Sequence, residues 1–335
     1  MQNREGPVKK KNILIFMSLM LLLSLCACGN RTEKQAETAA RPLRIVAAIF
    51  PAWDWTKNIL GENPANAELT LLLDNGVDLH SFQPSVEDIL TISGADLFIY
   101  VGGESDQWVT DALKQAKNPE MHVISMLDIL GEAAHEEEMK EGMQAEAEPE
   151  EEAAYDEHVW LSLRSASVIC SALSAELSAL DPDHAAVYEA NVRTYQEKLK
   201  ELDQAYAQTI SECQLKTLLF GDRFPFRYLV EDYGLDYYAA FSGCSAETEA
   251  SFETVTFLAQ KAAELSLPAV LTIDGTDHRI AETIVRNTKG PEPQILTLDS
   301  MQSVSAKDIE NGTTYLSVME KDLEVLKQAL QPEEK

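Results

Sequence analysis

ELTLLLDNGVDLHSFQPSVEDILTISGADLFIYVGG, residues 68–103, decides the fold. ELTLLL and DLFIYVG are short apolar runs of strand length. Between them, SVEDILTISG has helical spacing and stops at a glycine. A strand, a helix and a second strand joined by short loops form the unit of a parallel sheet covered by helices. The loop NGVDLHSFQPS places His80 where a strand ends and a helix begins. In open parallel sheets, ligands bind in the crevice beyond the carboxyl ends of the strands, where such loops collect.

The same alternation runs outward in both directions. RIVAAIF and HVISM extend the first set of strands, with WDWTKNILG and DQWVTDALKQA as helices. After residue 215 it returns: TLLF, DYYAAF, AVLTI and QILTL are separated by FPFRYLVEDYG, SFETVTFLAQKAAEL and HRIAETIVRNTKG. IFPAWDWTKNILG and FGDRFPFRYLVEDYG open the two sets alike, which suggests an internal repeat. Between the sets, Asp181-Pro182 is followed by a stretch of about 30 residues free of Gly and Pro and rich in helix formers, long enough to span about 45 Å. The expected architecture is α/β: two parallel-sheet lobes, 43–180 and 213–335, joined by one long rigid helix over 181–212. Residues 131–157 hold about a dozen acidic residues and few bulky apolar ones, so a mobile acidic surface loop is expected there.

The N-terminus reads as a targeting segment. Arg4 and Lys9-Lys10-Lys11 precede the apolar run ILIFMSLMLLLSL, about 13 residues and too short for an ordinary membrane span. It ends in LCACGN, which resembles a bacterial lipobox. Cys28, preceded by Ala27, is the expected lipidation site, with a plain secretory signal as the competing reading. Residues 1–28 are then a lipoprotein signal peptide and 29–42 a flexible tether, and the protein is expected outside the cytoplasm, lipid-anchored to the cell membrane.

A formal charge of −29 argues against nucleic acid as a partner. Beyond the signal region Cys170, Cys213 and Cys244 remain, an odd and sparse set from which no structural disulfide is expected. His122 and His184 read as structural or surface residues, and His135 belongs to the acidic loop. His80 and His158 differ: each sits in a carboxylate-flanked turn before a helix, in VDLHSFQPS and YDEHVWLSL. Neutral imidazole is a common metal ligand, and two histidines need further donors. Asp274 qualifies, directly after the strand AVLTI.

GVDLHSFQPSVEDILTISGADLFIYVGG resembles the first metal-ligand motif of the zinc- and manganese-binding lipoproteins of bacterial ABC importers, the cluster A-I (cluster 9) substrate-binding proteins. DEHVWLSLRSASVICSALSAELSALDP is similar to their second motif, and IFPAWDW and GCSAETEASFETV fit the same family. The likeness covers essentially the whole mature chain. It implies a metal in the interlobe cleft, with His80 and His158 as ligands from the first lobe and Asp274 from the second. It also implies delivery to a membrane permease by a monomeric protein. The third motif departs from the family. Laid on it without gaps, RFPFRYLVEDYGL puts Arg223 where a ligand histidine or glutamate stands, and a guanidinium has only donors. Asp222, one residue earlier, is the nearest oxygen donor; the alternative is an Asp222–Arg223 ion pair bridging the lobes. Cys244 follows a strand of the second lobe. As a thiolate it would favour zinc, but it reads first as a bystander behind the ligands, as does Arg223. Trp53, Trp55, Phe82, Trp160, Phe224 and Phe226 read as core or cleft packing.

The resulting expectation is a solute-binding lipoprotein that captures a divalent transition metal and hands it to an ABC permease. Zn²⁺ is favoured slightly, with Mn²⁺ as the alternative for a carboxylate-rich set. A second reading keeps the fold but uses Arg223 to bind a chelated or anionic metal complex. A third, a metallohydrolase, lacks a motif such as HExxH and an evident open coordination position; no enzymatic activity is expected. An adhesin role sometimes attached to the family has no independent sign in the sequence.

Overall fold

The apolar runs of the chain become two four-stranded parallel sheets in the computed structural model, which describes residues 41–144, 155–245 and 249–331. The proposed signal peptide, Cys28 and nearly all of the tether lie outside the described residues. In the first sheet β1 (Arg44–Ala47), β2 (Glu68–Leu71), β3 (Leu97–Tyr100) and β4 (His122–Ser125) run in the order β2-β1-β3-β4. In the second, β5 (Thr217–Phe224), β6 (Asp236–Ser242), β7 (Ala269–Ile273) and β8 (Gln294–Leu298) run β6-β5-β7-β8. The two orders are the same permutation, so the repeat suggested by the chain extends to sheet topology. The central strands are buried on both faces: Ile45, Val46 and Ala47 of β1, Leu97, Phe98 and Ile99 of β3, and all five residues of β7. The edge strand β2 alternates between exposed and half-buried residues. Continuous apolar runs at the centre and mixed ones at the edge are what helices on both faces demand.

Helices α1 (Phe50–Leu60), α2 (Val86–Ser93), α3 (Trp108–Leu113), α4 (Met126–Leu130) and α5 (Leu163–Leu180) belong to the first half. Ser85 and Asp88 cap α2 reciprocally. Helix α6 (Ala185–Glu212) follows a 3-10 turn at Pro182–His184 and runs for 28 residues, about 42 Å. Its buried residues Tyr188, Val192, Tyr195, Leu199, Leu202, Tyr206 and Ile210 recur at spacings of three and four, one continuous face. Asn191 on that helix donates to the Ile59 carbonyl of α1 at 2.9 Å. The second half adds α7 (Arg227–Tyr233), α8 (Phe252–Glu264), α9 (Arg279–Asn287), α10 (Ala306–Glu310) and α11 (Tyr315–Leu330). Tyr206 of α6 donates to the Met319 carbonyl of α11 at 2.5 Å.

Helix α11 makes a second crossing between the lobes. The Tyr315 amide donates to Asp54 of α1 at 3.3 Å, and the Tyr315 hydroxyl donates to the Trp160 carbonyl at 2.7 Å. One buried apolar cluster therefore runs without a break from Ile45 through α5 and α6 to Leu326, while a smaller one lies under α8 and α9. A shared core restricts the lobes to small relative tilts.

Asp54, buried between α1, α6 and α11, also accepts from Tyr195 at 3.4 Å. Burial pushes its carboxyl from 3.8 up to about 6, against the opposing Tyr315 amide and Lys57. The folded state therefore prefers the protonated form. The stability this contributes is complete below pH 4 and is lost as pH rises through 6. Two pKa units correspond to about 3 kcal/mol. Asp54→Asn is expected to remove that loss; chemical denaturation of both proteins at pH 4.5 and 7 should show the gap between them widening in favour of the variant at pH 7.

Candidate metal centre

Both sheets direct their carboxyl ends at one cleft of about 600 Å³, lined by Asp78, His80 and Ser81 from the first lobe and by Asp222, Arg223 and Asp274 from the second, among others. His80 lies in a 3-10 turn (Leu79–Ser81) started by Asp78, whose carboxylate accepts the His80 amide at 2.9 Å. His158 immediately precedes a 3-10 turn (Val159–Leu161) and is fully buried. Its amide and its ring Nδ1 both meet one oxygen of Asp156, each at 2.9 Å.

The two rings converge. His80 Nε2 and His158 Nε2 stand 3.2 Å apart, and the rings meet edge to face with centroids 5.2 Å apart. Each ring is held from behind through Nδ1, His158 by Asp156 and His80 by the Ser105 hydroxyl at 2.7 Å. With Nδ1 carrying the proton toward these partners, both Nε2 lone pairs face the same point. Such backing fixes the ring tautomer and orientation in metal sites.

Acidic groups surround the pair. Glu157 accepts the Ser105 amide at 2.8 Å through Oε1, while its Oε2 lies 3.7 Å from His80 Nδ1 and has no hydrogen-bond partner among the described residues. Burial raises the Glu157 carboxyl to about 7. His80 is pushed the other way, to about 3, by burial and then by the charge of His158. Burial also works against charge on His158, but Asp156, Glu137 and Glu157 around it hold its imidazole above the ordinary value. Among the described residues, two groups bring a donor atom from each of three side chains within 4.8 Å of one another: His80, His158 and Cys244, and Glu137, Asp156 and His158.

The two carboxylates expected as ligands are placed differently. Asp222 and Asp274 line the cleft but join neither group. Asp222 accepts the Thr276 hydroxyl at 2.7 Å, the Ile273 amide at 3.2 Å and the Arg223 amide at 2.9 Å. Asp274 accepts the Ser300 amide at 2.6 Å and the hydroxyls of Ser300, at 2.7 Å, and Ser303. Both carboxylates thus serve their own lobe's loops. The Asp222–Arg223 ion pair does not form either. Arg223 reaches across the cleft to Asp78 at 2.6 Å, and this guanidinium, against the opposing effect of burial, holds the Asp78 carboxyl below its ordinary value. Asp78 therefore both starts the His80 turn and neutralises the cation beside it. Asp78→Ala is expected to weaken metal binding by about 10–100-fold, as loss of groups that orient ligands does; competition with a chromophoric chelator measures it.

The acidic segment also departs from a purely mobile loop where it is described. His135 pairs with Glu231 at 3.1 Å, its amide donates to the Tyr228 hydroxyl at 3.0 Å, and Lys140 pairs with Asp236 at 2.5 Å. Glu137 accepts the Cys244 amide at 3.0 Å. Polar contacts to the second lobe dock residues 131–144, which a lack of apolar residues does not reveal; residues 145–154 lie outside the described residues. Sequence reasoning also passed over Glu137, Glu157 and Ser105. The YDEH run carried a signal for Glu157 and Asp156, whereas nothing local marks Ser105. Cys170, Cys213 and Cys244 are free thiols.

Over residues 45–329 the chain matches the family described as ZnuA, zinc-uptake complex component A periplasmic. It is 31% identical over 324 residues to the zinc-binding lipoprotein AdcA of Streptococcus pneumoniae, covering 96% of this chain and 62% of that protein. It is 27% identical over 320 residues to the high-affinity zinc uptake system protein ZnuA of Bacillus subtilis, covering 94% and 97%. The chain thus spans under two thirds of the AdcA relatives and nearly all of the Bacillus protein. Among solved structures, Zn(II)-bound AdcA of Streptococcus pneumoniae superposes with a TM-score of 0.69 at 28% identity, over 88% of this chain and 59% of that one. The metal-dependent lipoprotein YcdH of Bacillus subtilis gives 0.70 at 25% identity, over 87% and 100%. With two like parallel sheets, one long connecting helix and a histidine of the cleft wall paired with a buried one behind it, the chain belongs to the zinc-uptake complex component A (ZnuA) family.

Proposed function

We propose that the protein is an extracytoplasmic, lipid-anchored solute-binding protein that captures Zn²⁺ in the interlobe cleft and delivers it to an ABC permease. His80 and His158 serve as ligands from the first lobe. The carrying observation is the 3.2 Å separation of their Nε2 atoms. Two nitrogens bound at about 2.0–2.1 Å to tetrahedral zinc lie about 3.3 Å apart. The rings therefore need almost no movement to accept the ion. The names of the relatives support zinc as the cargo, and the lipobox-like LCACGN supports the anchor. Arg223 has its charge offset by Asp78 at 2.6 Å, which weighs against an anionic metal complex as cargo. The role is binding and transfer rather than catalysis. Because the two lobes share a core through α6 and α11, release follows from a small tilt that opens the cleft, not from a wide hinge.

Calorimetric titration of the demetallated purified protein with Zn²⁺ tests this reading. One ion bound tightly per chain is the expected result. Absence of zinc binding at neutral pH would overturn it.

A further inference from the structure

The two histidines both come from the first lobe, and a transition-metal ion needs at least one more protein donor to be held across the cleft. The second lobe brings several candidate groups to the cleft, among them Asp277 and His278, which join neither donor group around the two histidines. Arg223 is a cation engaged with Asp78, and Asp222 and Asp274 already accept hydrogen bonds from their own loops. Cys244 differs from all of these: it lies in the turn after β6, with its sulfur within 4.8 Å of donor nitrogens on both His80 and His158. We propose that Cys244 is the zinc ligand supplied by the second lobe, making a mixed imidazole–thiolate site that excludes manganese. The inference rests on the zinc-capture reading and extends it to the donor set and its selectivity.

Three features place the thiol there. Glu137 accepts the Cys244 amide at 3.0 Å, pinning the turn from the acidic segment. Gly243 lets β6 end directly against the histidine: a Cβ at that position would stand 3.1 Å from two atoms of the His158 ring and 2.9 Å from the Phe224 carbonyl. The thiol is in no disulfide, and Gly243 is followed by no other metal donor among the described residues of that turn. Nitrogen and sulfur on tetrahedral zinc lie about 3.6 Å apart, so closing the three donors onto one ion takes a shift of about 1 Å at most per pair. Thiolate with imidazole suits zinc, whereas manganese prefers carboxylate and water oxygens. Because two ligands belong to one lobe and the third to the other, the Cys244–metal bond is also the one that lobe opening breaks.

Cobalt(II) titration of the demetallated purified protein reads the sulfur directly. A near-ultraviolet thiolate-to-cobalt charge-transfer band is expected, absent in Cys244→Ser, together with a fall in zinc affinity of about 100-fold or more in that variant. Zinc is also expected to protect Cys244 of the unaltered protein from alkylation, a measurement independent of how the variant folds. Tight cobalt and zinc binding without the band, and with no protection of Cys244, would overturn the thiolate ligand while leaving zinc capture intact. Failure of the unaltered protein to bind either ion would overturn the capture reading and this inference with it.

Discussion

His158→Ala is expected to lower zinc affinity by more than about 100-fold, and His80→Ala by a similar factor. Loss of a group that merely orients a ligand already costs about 10–100-fold, and each alanine removes a donor outright. The effect should be greatest at His158. Its ring is fully buried, held through Nδ1 by Asp156, and surrounded by carboxylates that would be left without the cation they face. Proton competition gives the loss a pH signature. His158 is held above its ordinary pKa, so below that raised value zinc must displace a proton from it, and affinity falls by about tenfold per pH unit for each proton released from a ligand. Affinity of the unaltered protein should therefore rise with pH from 6 to 8. Isothermal titration in buffers of different ionisation enthalpy reports the released proton, and an alanine variant that binds zinc as tightly as the parent would refute the site.

Trp160→Ala is expected to destabilise the protein by about 3–5 kcal/mol, the range for emptying a buried aromatic site. Trp160 is 1% exposed and joins three parts of the molecule. Its indole donates to the Ser300 carbonyl of the second lobe at 2.8 Å, its own carbonyl accepts the Tyr315 hydroxyl, and its ring lies edge-on to His158 with centroids 5.3 Å apart. The substitution leaves a cavity, an unpaired carbonyl, and a histidine with one wall missing. Chemical denaturation in the absence of metal gives the stability loss. Zinc should recover part of the midpoint shift, because binding to the folded state alone stabilises it.

The contrast between Asp274 and Cys244 shows where local reading stops. Asp274 follows the strand AVLTI directly, and a carboxylate beyond a strand end is a reasonable donor from sequence. Its oxygens also meet Ser300 and Ser303, some 26 and 29 residues on, and nothing near Asp274 announces those partners. Cys244 had only its place after a strand to speak for it. Its approach to His80 and His158 depends on how β6 ends, on a glycine without a side chain, and on Glu137 reaching over from the other half of the chain.

Two parallel sheets, a helix of 28 residues between them and a pair of carboxylate-flanked histidines at strand ends are encoded in short-range terms, since periodicity and turn residues act over a few positions. What faces what across the cleft is not. The Arg223–Asp78 pair links residues 145 apart, the acidic segment docks through long-range polar contacts, and α11 returns to the first lobe. Each of these is settled by shape and charge matching between surfaces that exist only after both lobes have formed, which is why the donors around the two histidines had to be read from the tertiary structure.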